Sequence, residues 1–217
     1  MIRISEVEVF GWKAAIRGMR NPFNSWDKSD SFNCDTEPIC TGCCSDCIGE
    51  NDLALMCKLS DAGSDHAKFL RFIDVTLDIN APLYWWKEFD TYKVGTVANS
   101  CSTMHKIHAK AFTLDDFSHE HLDQYACNTL ATTITNLNSN RLFFNNTKGK
   151  EYWYNMIQLL PSSFNQLRTV KLNYAVLKAM YHARKNHKLN EWREFCQWIE
   201  TLPYAKELIT NGQTSGN

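Results

Sequence analysis

The chain has 217 residues, of which 44% are hydrophobic and 22% charged, a composition typical of a globular protein with a buried core. Lysine and arginine total 23 against 24 acidic residues, and because this balance leaves no broad basic surface, we expect no nucleic-acid partner. The start of the sequence lacks the apolar core of a signal peptide, and no run of about 18 apolar residues occurs. We therefore expect a cytoplasmic protein without a membrane partner, and the lack of a linker-like stretch after residue 50 predicts a single domain over residues 1–217.

Apolar and polar residues alternate in two stretches of the N-terminal half, which predicts two strands. The first runs from Ile2 to Val9. The second is clearer, and its apolar residues of one face are Phe69, Ile73, Val75, Leu77 and Ile79. Between the two strands, apolar residues at helical spacing predict a helix that begins near Glu50 and ends before Ala62 and Gly63.

From Pro82 onward the sequence predicts mainly helices. Pro82 fits the first turn of a helix that continues from Leu83 to Tyr92. The aromatic residues of this helix, for which packing is favoured over a stacking role, are Trp85, Trp86 and Phe89. Pro161 is predicted to open a long helical segment, and a last helix stops before Pro203. The apolar stripes of these two segments are Leu167, Val170, Tyr174, Leu177 and Tyr181, and then Trp192, Phe195, Cys196 and Ile199. Strands with segregated helices predict the α+β class.

A cysteine-rich loop is predicted at about residues 33–48. The chain has nine cysteines, and without an export signal we expect reduced thiols or metal ligands rather than disulfides. Within the loop, Cys40 and Cys43, and then Cys44 and Cys47, have the two-residue spacing of zinc-binding turns. One interpretation is a zinc site formed by Cys34, Cys40, Cys43 and Cys47. A reduced loop without metal and an iron–sulfur centre are the alternatives.

A series of short motifs follows in a fixed order between Ser64 and His105. His66 precedes the alternating strand, Ala81-Pro82 forms a turn before an aromatic helix, and Thr91-Tyr92-Lys93 and Asn99 to His105 come after it. This order resembles the core of the flavin-dependent thymidylate synthases. In that family, Arg-His-Arg stands at the position of Thr91-Tyr92-Lys93 and is followed by a serine, which is Thr96 here. The second motif, Asn-Glu-x-Ser-x-Arg-Tyr, stands at the position of Asn99 to His105. The second motif is offset here by a one-residue insertion near Ala98.

A second matching block lies near the C-terminus. The run Leu-Leu-Pro-Ser-Ser ending at Ser163 resembles the Leu-Pro element of the same family. Asn173 matches the asparagine of the helix that follows, and Arg184 matches the arginine three turns later. Eleven residues at 100° per residue bring Asn173 and Arg184 within about 20° of one helix face. Both are therefore expected to reach one pocket.

The resemblance implies the fold of that family, with an antiparallel sheet core and long C-terminal helices. It implies a homotetramer with active sites at subunit junctions, FAD as the cofactor and dUMP as the nucleotide substrate. Methylenetetrahydrofolate as carbon donor and NADPH as reductant are further implications. Because the flavin performs the bond-making, the protein is expected mainly to bind, orient and supply charge.

The resemblance assigns expected roles to individual residues. The expected flavin contacts are His66, Thr91, Tyr92, Lys93, Asn99 and Asn173. The expected nucleotide contacts are Ser100, Ser102, Gln158 and Arg184. Ser102 and Cys101 are the candidate catalytic residues. Ser102 would donate a hydrogen bond through its hydroxyl, and a thiolate at Cys101 would attack C6 of a pyrimidine. A small buried cysteine is the favoured alternative for Cys101, and a capping or core-edge histidine is the alternative for His66.

Several positions depart from the pattern of the family. Met104 stands where the second motif has arginine, and Ser100 stands where it has glutamate. The arginine that precedes the Leu-Pro element is replaced by Ile157 or Gln158. Because a guanidinium holds a phosphate with two hydrogen bonds, these losses predict weak dUMP binding, a different nucleotide or a lost activity.

Three hypotheses follow from the sequence. The first is a divergent FAD-dependent methyltransferase that performs one-carbon transfer or a related modification of a pyrimidine nucleotide. The second is a non-catalytic nucleotide- or partner-binding protein that retains the scaffold without the flavin chemistry. The third is a metal-stabilised interaction module in which the cysteine-rich loop is the functional part.

Overall fold

The structure is a computed structural model that describes residues 2–33 and 46–211. Its strands are β1 (Arg3–Phe10), β2 (Phe32–Asn33), β3 (Asp46–Cys47), β4 (Asp74–Pro82), β5 (Val97–Ser100) and β6 (Asn165–Asn173). Its helices are α1 (Trp12–Arg20), α2 (Glu50–Asp61), α3 (Leu83–Phe89), α4 (Thr103–Lys106), α5 (Gln124–Thr147), α6 (Lys150–Leu159), α7 (Tyr174–Arg184) and α8 (Asn190–Ile199). Short 3₁₀ turns occur at Asn21–Phe23, Trp26–Lys28, Ala67–Phe72 and Leu114–Asp116, and a π turn at Lys206–Thr210.

Four strands form an antiparallel sheet in the order β1-β4-β6-β5, which confirms the α+β class and the antiparallel sheet predicted from the sequence. The short strands β2 and β3 pair separately and antiparallel, with Phe32 opposite Cys47. Side chains of the inner strand β4 alternate between buried and half-buried, as a strand with one fully covered face requires. The predicted residues of β4 are buried, whereas Phe69 lies in the preceding 3₁₀ turn.

The prediction of a helix from Pro161 is wrong over residues 165–173, which form strand β6. The apolar residues at helical spacing belong to two elements, because the chain changes from strand to helix at Asn173. In β6 the even-numbered positions Gln166, Arg168, Val170 and Leu172 are more buried than the odd-numbered positions between them. The period of two was hidden by Leu167, an apolar residue on the exposed side.

The other predicted elements are present with small shifts. Strand β1 and helices α2 and α8 lie where the sequence placed them, and α3 ends at Phe89 instead of Tyr92. Pro82 is the last residue of β4 and the N-cap of α3 rather than part of its first turn. The aromatic residues of α3 are at most 2% exposed, so the preference for packing is confirmed. No element was predicted from the sequence for α5 and α6.

The chain divides into two compact units. Unit 1 comprises Met1–Ser5, Asp78–Thr91 and Ala98–Thr169. Unit 2 comprises Glu6–Leu77, Tyr92–Val97 and Val170–Asn217. The expectation of a single domain over residues 1–217 stays a prediction.

Each unit has its own apolar centre. In unit 1, a buried cluster joins α5 and α6 to the loop before them, and it contains Ile107, Phe112, Phe117, Leu130, Leu137 and Met156. In unit 2, Trp12 packs edge-on against Tyr174 with ring centroids 5.3 Å apart. The Tyr174 hydroxyl donates a hydrogen bond to the Pro203 carbonyl at 2.6 Å, so this buried polar group is satisfied. Within residues 2–33 and 46–211, no helix has both the length and the hydropathy needed to cross a bilayer.

Candidate functional site

In unit 2, the guanidinium of Arg184 lies against two aromatic side chains. Arg184 is the last residue of α7, and its Nε donates a hydrogen bond to Tyr92 Oη at 3.0 Å. Its guanidinium carbon is 4.9 Å from the centroid of the Trp192 ring and 5.7 Å from that of Tyr92. The negative faces of aromatic rings attract a guanidinium and limit its orientations. Tyr92, which the sequence predicted as a flavin contact, and Arg184, predicted as a nucleotide contact, are therefore in direct contact.

Trp192 is part of this cluster but was missed as a site residue. It lies fully buried in α8, and the sequence identified it only as a member of the apolar stripe of that helix. Cys196, one turn further along α8, does not provide a reactive thiol. Burial, and then the nearby Glu200 carboxylate, raise the pKa of Cys196 to about 12, although the Arg184 charge acts in the opposite direction.

The turn that follows Tyr92 packs against the start of α7. Gly95 has φ +80°, and a Cβ at this position would lie 3.0 Å from Asn173 Nδ2 and 3.1 Å from Val176 Cγ2. Glycine is therefore favoured at residue 95 both by its backbone conformation and by the available space. The Thr96 hydroxyl donates a hydrogen bond to the Tyr92 carbonyl and closes the turn.

Asn173 is the N-cap of α7 and not a residue of a helix face. Its Oδ1 accepts a hydrogen bond from the Val176 backbone N–H at 3.1 Å, and its backbone is extended with φ −134° and ψ 168°. The spacing of 100° per residue therefore does not relate Asn173 to Arg184, and the expectation that both lie on one helix face is wrong. Two other predicted residues of unit 2, His66 and Lys93, are exposed. His66 precedes a 3₁₀ turn and makes no capping hydrogen bond through its side chain.

In unit 1, four consecutive predicted residues are exposed at the junction of β5 and α4. They are Asn99, Ser100, Cys101 and Ser102. Ser102 caps α4 by accepting a hydrogen bond from the His105 backbone N–H at 3.0 Å, so its hydroxyl proton is left to donate. The favoured interpretation of Cys101 as a small buried cysteine is wrong, because this residue follows the edge strand β5 and is exposed.

A hydrogen-bond network from β6 holds the backbone of Cys101 in place. The Cys101 N–H donates to the Leu167 carbonyl at 2.9 Å, and Gln166 Nε2 donates to the Cys101 carbonyl at 2.8 Å. Gln166 Oε1 in turn accepts from Arg168 Nε at 3.0 Å. The Arg168 guanidinium carbon is 4.2 Å from the centroid of the Trp86 ring, and Trp86 Nε1 donates to the Gln166 carbonyl at 3.0 Å. Gln166 and Arg168 thus connect the core helix α3 to the exposed segment that carries Ser100 and Ser102.

Sequence reasoning missed Gln166 and Arg168 because it assigned a helix to this region. With a period of two, both polar residues would have appeared on the more buried side of β6. Polar side chains in such positions require partners, and this requirement is the signal that would have identified them.

The remaining predicted positions of unit 1 are exposed or make local contacts. The Thr91 hydroxyl donates to the Glu88 carbonyl at 2.7 Å, one turn back along α3. Gln158 is exposed on α6, whereas Ile157 packs against the buried cluster of unit 1. Met104, at the position of the missing arginine, is 47% exposed.

The zinc prediction falls largely outside the described residues. Cys34, Cys40 and Cys43 lie in the segment between residues 33 and 46, whereas Cys47 is half-buried in β3. Among residues 2–33 and 46–211, no group of three histidine, cysteine or acidic side chains is arranged to hold a metal ion. The zinc site stays a prediction.

The fold is similar to that of solved flavoenzymes. Thymidylate synthase X (ThyX) from Helicobacter pylori, in a structure with FAD and dUMP, superposes with a TM-score of 0.65 at 15% sequence identity. This match covers 96% of the present chain and 97% of the other. A second structure of the Helicobacter pylori enzyme with FAD and dUMP gives the same TM-score and identity, with 95% and 97% covered. No family model matches the sequence, and no curated protein matches it. The similarity therefore establishes a ThyX-like fold.

Proposed function

We propose that this chain is a divergent flavin-dependent enzyme that uses FAD for one-carbon transfer to, or a related modification of, a pyrimidine nucleotide. The observation that carries the proposal is the Arg184 cluster in a chain whose fold matches, over nearly its whole length, enzymes solved with FAD and dUMP. The proposed assembly is a homotetramer. The proposed carbon donor and reductant are methylenetetrahydrofolate and NADPH.

The polar groups of unit 2 fit an anionic nucleotide or flavin cofactor. Arg184 contributes a permanent positive charge, and the exposed Lys93 contributes a second, mobile one. Tyr92 Oη accepts its hydrogen bond from Arg184 and therefore keeps its own proton to donate to a phosphate oxygen. We assign Tyr92, Lys93 and Arg184 to binding the phosphate groups, and Asn173 to holding the turn beside them.

The exposed residues of unit 1 fit the binding of a nucleotide in a different way. Ser100 and Ser102 offer hydroxyl donors where the family has glutamate and serine, and Ser102 keeps a proton to donate. Cys101 is accessible to a substrate because it is exposed. With Met104 in place of an arginine, neutral donors replace a charge here, so we expect weaker selection for a phosphate than in the family.

FAD, when bound, supplies the electron transfer and the carrier chemistry of the reaction. The residues of the chain bind, orient and donate protons. Arg184 holds negative charge, the hydroxyl groups of Tyr92 and Ser102 donate hydrogen bonds, and Gln166 with Arg168 fixes the backbone that carries Ser102.

Absorption spectroscopy of the purified protein tests the cofactor. We expect a flavin spectrum as isolated or after addition of FAD and removal of the unbound fraction. Arg184→Ala is expected to weaken FAD binding about tenfold or more, because a hydrogen-bonded charge is lost. Lys28→Ala, which removes an exposed cation elsewhere in unit 2, is the matched control and should bind like the wild type. Wild-type protein without bound flavin under both conditions would contradict the proposal.

A second function, a non-catalytic nucleotide-binding protein on the same scaffold, is favoured by one observation. The position of the family's second-motif arginine carries the uncharged and 47% exposed Met104. This alternative predicts nucleotide binding without turnover. Expression of the chain in a bacterial strain that requires thymidine distinguishes the two functions, since growth without thymidine would eliminate the non-catalytic one.

A further inference from the structure

A concave site lies against α1 in unit 2, and its described lining contains none of the residues proposed to bind flavin or nucleotide. Its volume is about 420 Å³, within the range of about 300–1,000 Å³ that is typical of small-molecule pockets. It is bounded by α1, by Trp26 and by side chains between Ser29 and Phe32.

Two large aromatic side chains line this pocket and are only half covered by the protein. Trp26 is 52% exposed and Phe32 is 49% exposed, while the apolar floor is formed by Ile16, which is 7% exposed. The indole orientation is fixed, because Trp26 Nε1 donates a hydrogen bond to Asn21 Oδ1 at 2.8 Å. Half-exposed aromatic side chains around a concave surface are typical of a site that a ligand covers.

Three cationic side chains of α1 line the same pocket. Lys13, Arg17 and Arg20 fall within about 60° of one helix face. The helix sequence contains no acidic residue, and like charges four residues apart disfavour a helix. A bound anion would remove this repulsion.

The three cations differ in their freedom to meet a ligand. Arg20 is buried and held by Asp52 at 2.6 Å and by the Ser25 carbonyl at 3.1 Å, so its charge is already compensated and it forms a rigid wall. Lys13 and Arg17 are exposed and are the side chains that can close on an anion. The pocket thus combines an aromatic surface with two exposed positive charges.

We propose that this pocket binds a small aromatic anion of the nucleoside monophosphate class. The base packs against Trp26 and Phe32, and the phosphate is held by Lys13 and Arg17. Two charges match the charge of a single phosphate, and a guanidinium beside an ammonium group provides both a fork of donors and a point charge for it.

Fluorine NMR of protein labelled with 5-fluorotryptophan tests the site directly. The Trp26 resonance is assigned from its loss in Trp26→Phe and followed during titrations with AMP, with adenosine and with inorganic phosphate. We expect a saturable shift with AMP and an affinity at least about tenfold lower for adenosine, which lacks the charge. The variant Lys13→Ala/Arg17→Ala should lose at least about tenfold in AMP affinity. Both substituted residues are exposed, so the fold is expected to persist.

Controls separate this site from the proposed flavin site. Lys28→Ala removes a neighbouring exposed cation that does not line the pocket, and it should leave the AMP response of Trp26 unchanged. Arg184→Ala should also leave that response unchanged while weakening FAD binding. The proposal is overturned by a Trp26 resonance that does not respond to millimolar AMP, by equal responses to AMP and adenosine, or by an unchanged response in the double variant. Failure of FAD binding would leave it unaffected.

Discussion

Two arginine–aspartate pairs, one in each unit, have the same charges at similar distances but very different surroundings. In unit 2, Arg20 Nε lies 2.6 Å from Asp52 Oδ1, and the side chains are 5% and 0% exposed. In unit 1, Arg168 Nη1 lies 2.8 Å from Asp90 Oδ1, and the side chains are 15% and 52% exposed. A distance between charges therefore does not measure what a pair contributes, because solvent screens the second pair and not the first.

The partners around each pair explain what it does. The carboxylate of Asp52 also accepts hydrogen bonds from the hydroxyls of Ser29 and Ser31 at 2.7 and 2.6 Å, so it ties α2 to the segment before β2. Among the residues that the structure describes, the Asp90 carboxylate accepts a hydrogen bond from Arg168 alone, whereas Arg168 is fixed mainly by Gln166 and by the Trp86 ring. We infer that the first pair stabilises unit 2 and that the second orients the backbone at Cys101.

The largest expected effect is that of breaking the buried pair. Asp52→Ala leaves the Arg20 guanidinium buried without its counter-charge, and this should lower the free energy of unfolding by about 3–5 kcal/mol. Urea unfolding followed by circular dichroism measures the change. Lys58→Ala, an exposed substitution in the same helix, is the control and should change it by about 0.5 kcal/mol or less. A loss of similar size in Asp52→Ala and Lys58→Ala would contradict the inference that the Arg20–Asp52 pair stabilises unit 2.

The same pair should produce a dependence of stability on pH. Burial alone raises the pKa of Asp52, but hydrogen bonds from Ser31, Ser29 and Arg20 and the Arg20 charge outweigh it and lower the pKa from its ordinary value of 3.8. The resulting stability is present above that ordinary value and is lost as the pH falls through the lowered value of the folded protein. Unfolding curves from neutral to acidic pH should therefore decline more steeply for the wild type than for Asp52→Asn. Parallel curves would show that another carboxylate controls acid unfolding.

Replacing Gln166 tests the positioning network of unit 1. Gln166→Leu fits the strand but leaves the Cys101 carbonyl and Arg168 Nε without their partner, at a cost of about 1–3 kcal/mol. Hydrogen exchange should accelerate in the peptide that spans residues 99–104, since the anchoring of Cys101 is weakened. Gln158→Leu, an exposed glutamine of the same unit, should leave this exchange unchanged. Unaltered exchange in Gln166→Leu would show that the strand pairing alone holds the segment.

The sequence predicted those parts of the fold in which one period dominates. Strand β4 was identified because its polar and apolar residues alternate without interruption, and α8 because its apolar stripe is complete. Strand β6 was misassigned because Leu167 is apolar on the exposed side and Gln166 and Arg168 are polar on the other. Their partners lie in α3 and just after β5, far away in sequence, so only the tertiary structure makes these side chains favourable.

Individual site residues were predictable to different degrees. Tyr92 and Arg184 could each be proposed as binding residues from motif order, although their contact depends on the packing of a turn against α7. Trp192 could not be distinguished from a core residue, because a buried ring that packs and a buried ring that holds a guanidinium have the same helical spacing. Cys101 is exposed just after the edge strand β5, and strand order in a sheet is not encoded locally.

A smaller effect is expected when Arg168 is replaced by lysine, which keeps the positive charge but not the planar guanidinium. Arg168→Lys retains a cation for Asp90 but loses the Nε hydrogen bond to Gln166 and the planar contact with Trp86, so stability should fall by about 1 kcal/mol. Hydrogen exchange at residues 99–104 should increase, although less than in Gln166→Leu. If hydrogen exchange in Arg168→Lys is as slow as in the wild type, the charge of residue 168, and not the guanidinium geometry, positions Gln166.

The smallest effect is expected at the exposed partner of the same arginine. Asp90→Asn removes the charge but keeps an oxygen that can accept from Arg168 Nη1, and Asp90 is about half exposed, so stability should change by only about 0.2–1 kcal/mol. The difference from wild type should shrink further at high salt, since the charges of an exposed pair are screened by ions. Asp74→Asn, which removes the charge from another partly exposed pair, that with Lys171, is the control and should also have a small effect. A loss at Asp90 as large as that at Asp52 would refute the comparison, because it would show that Arg168 depends on its counter-charge rather than on Gln166 and Trp86.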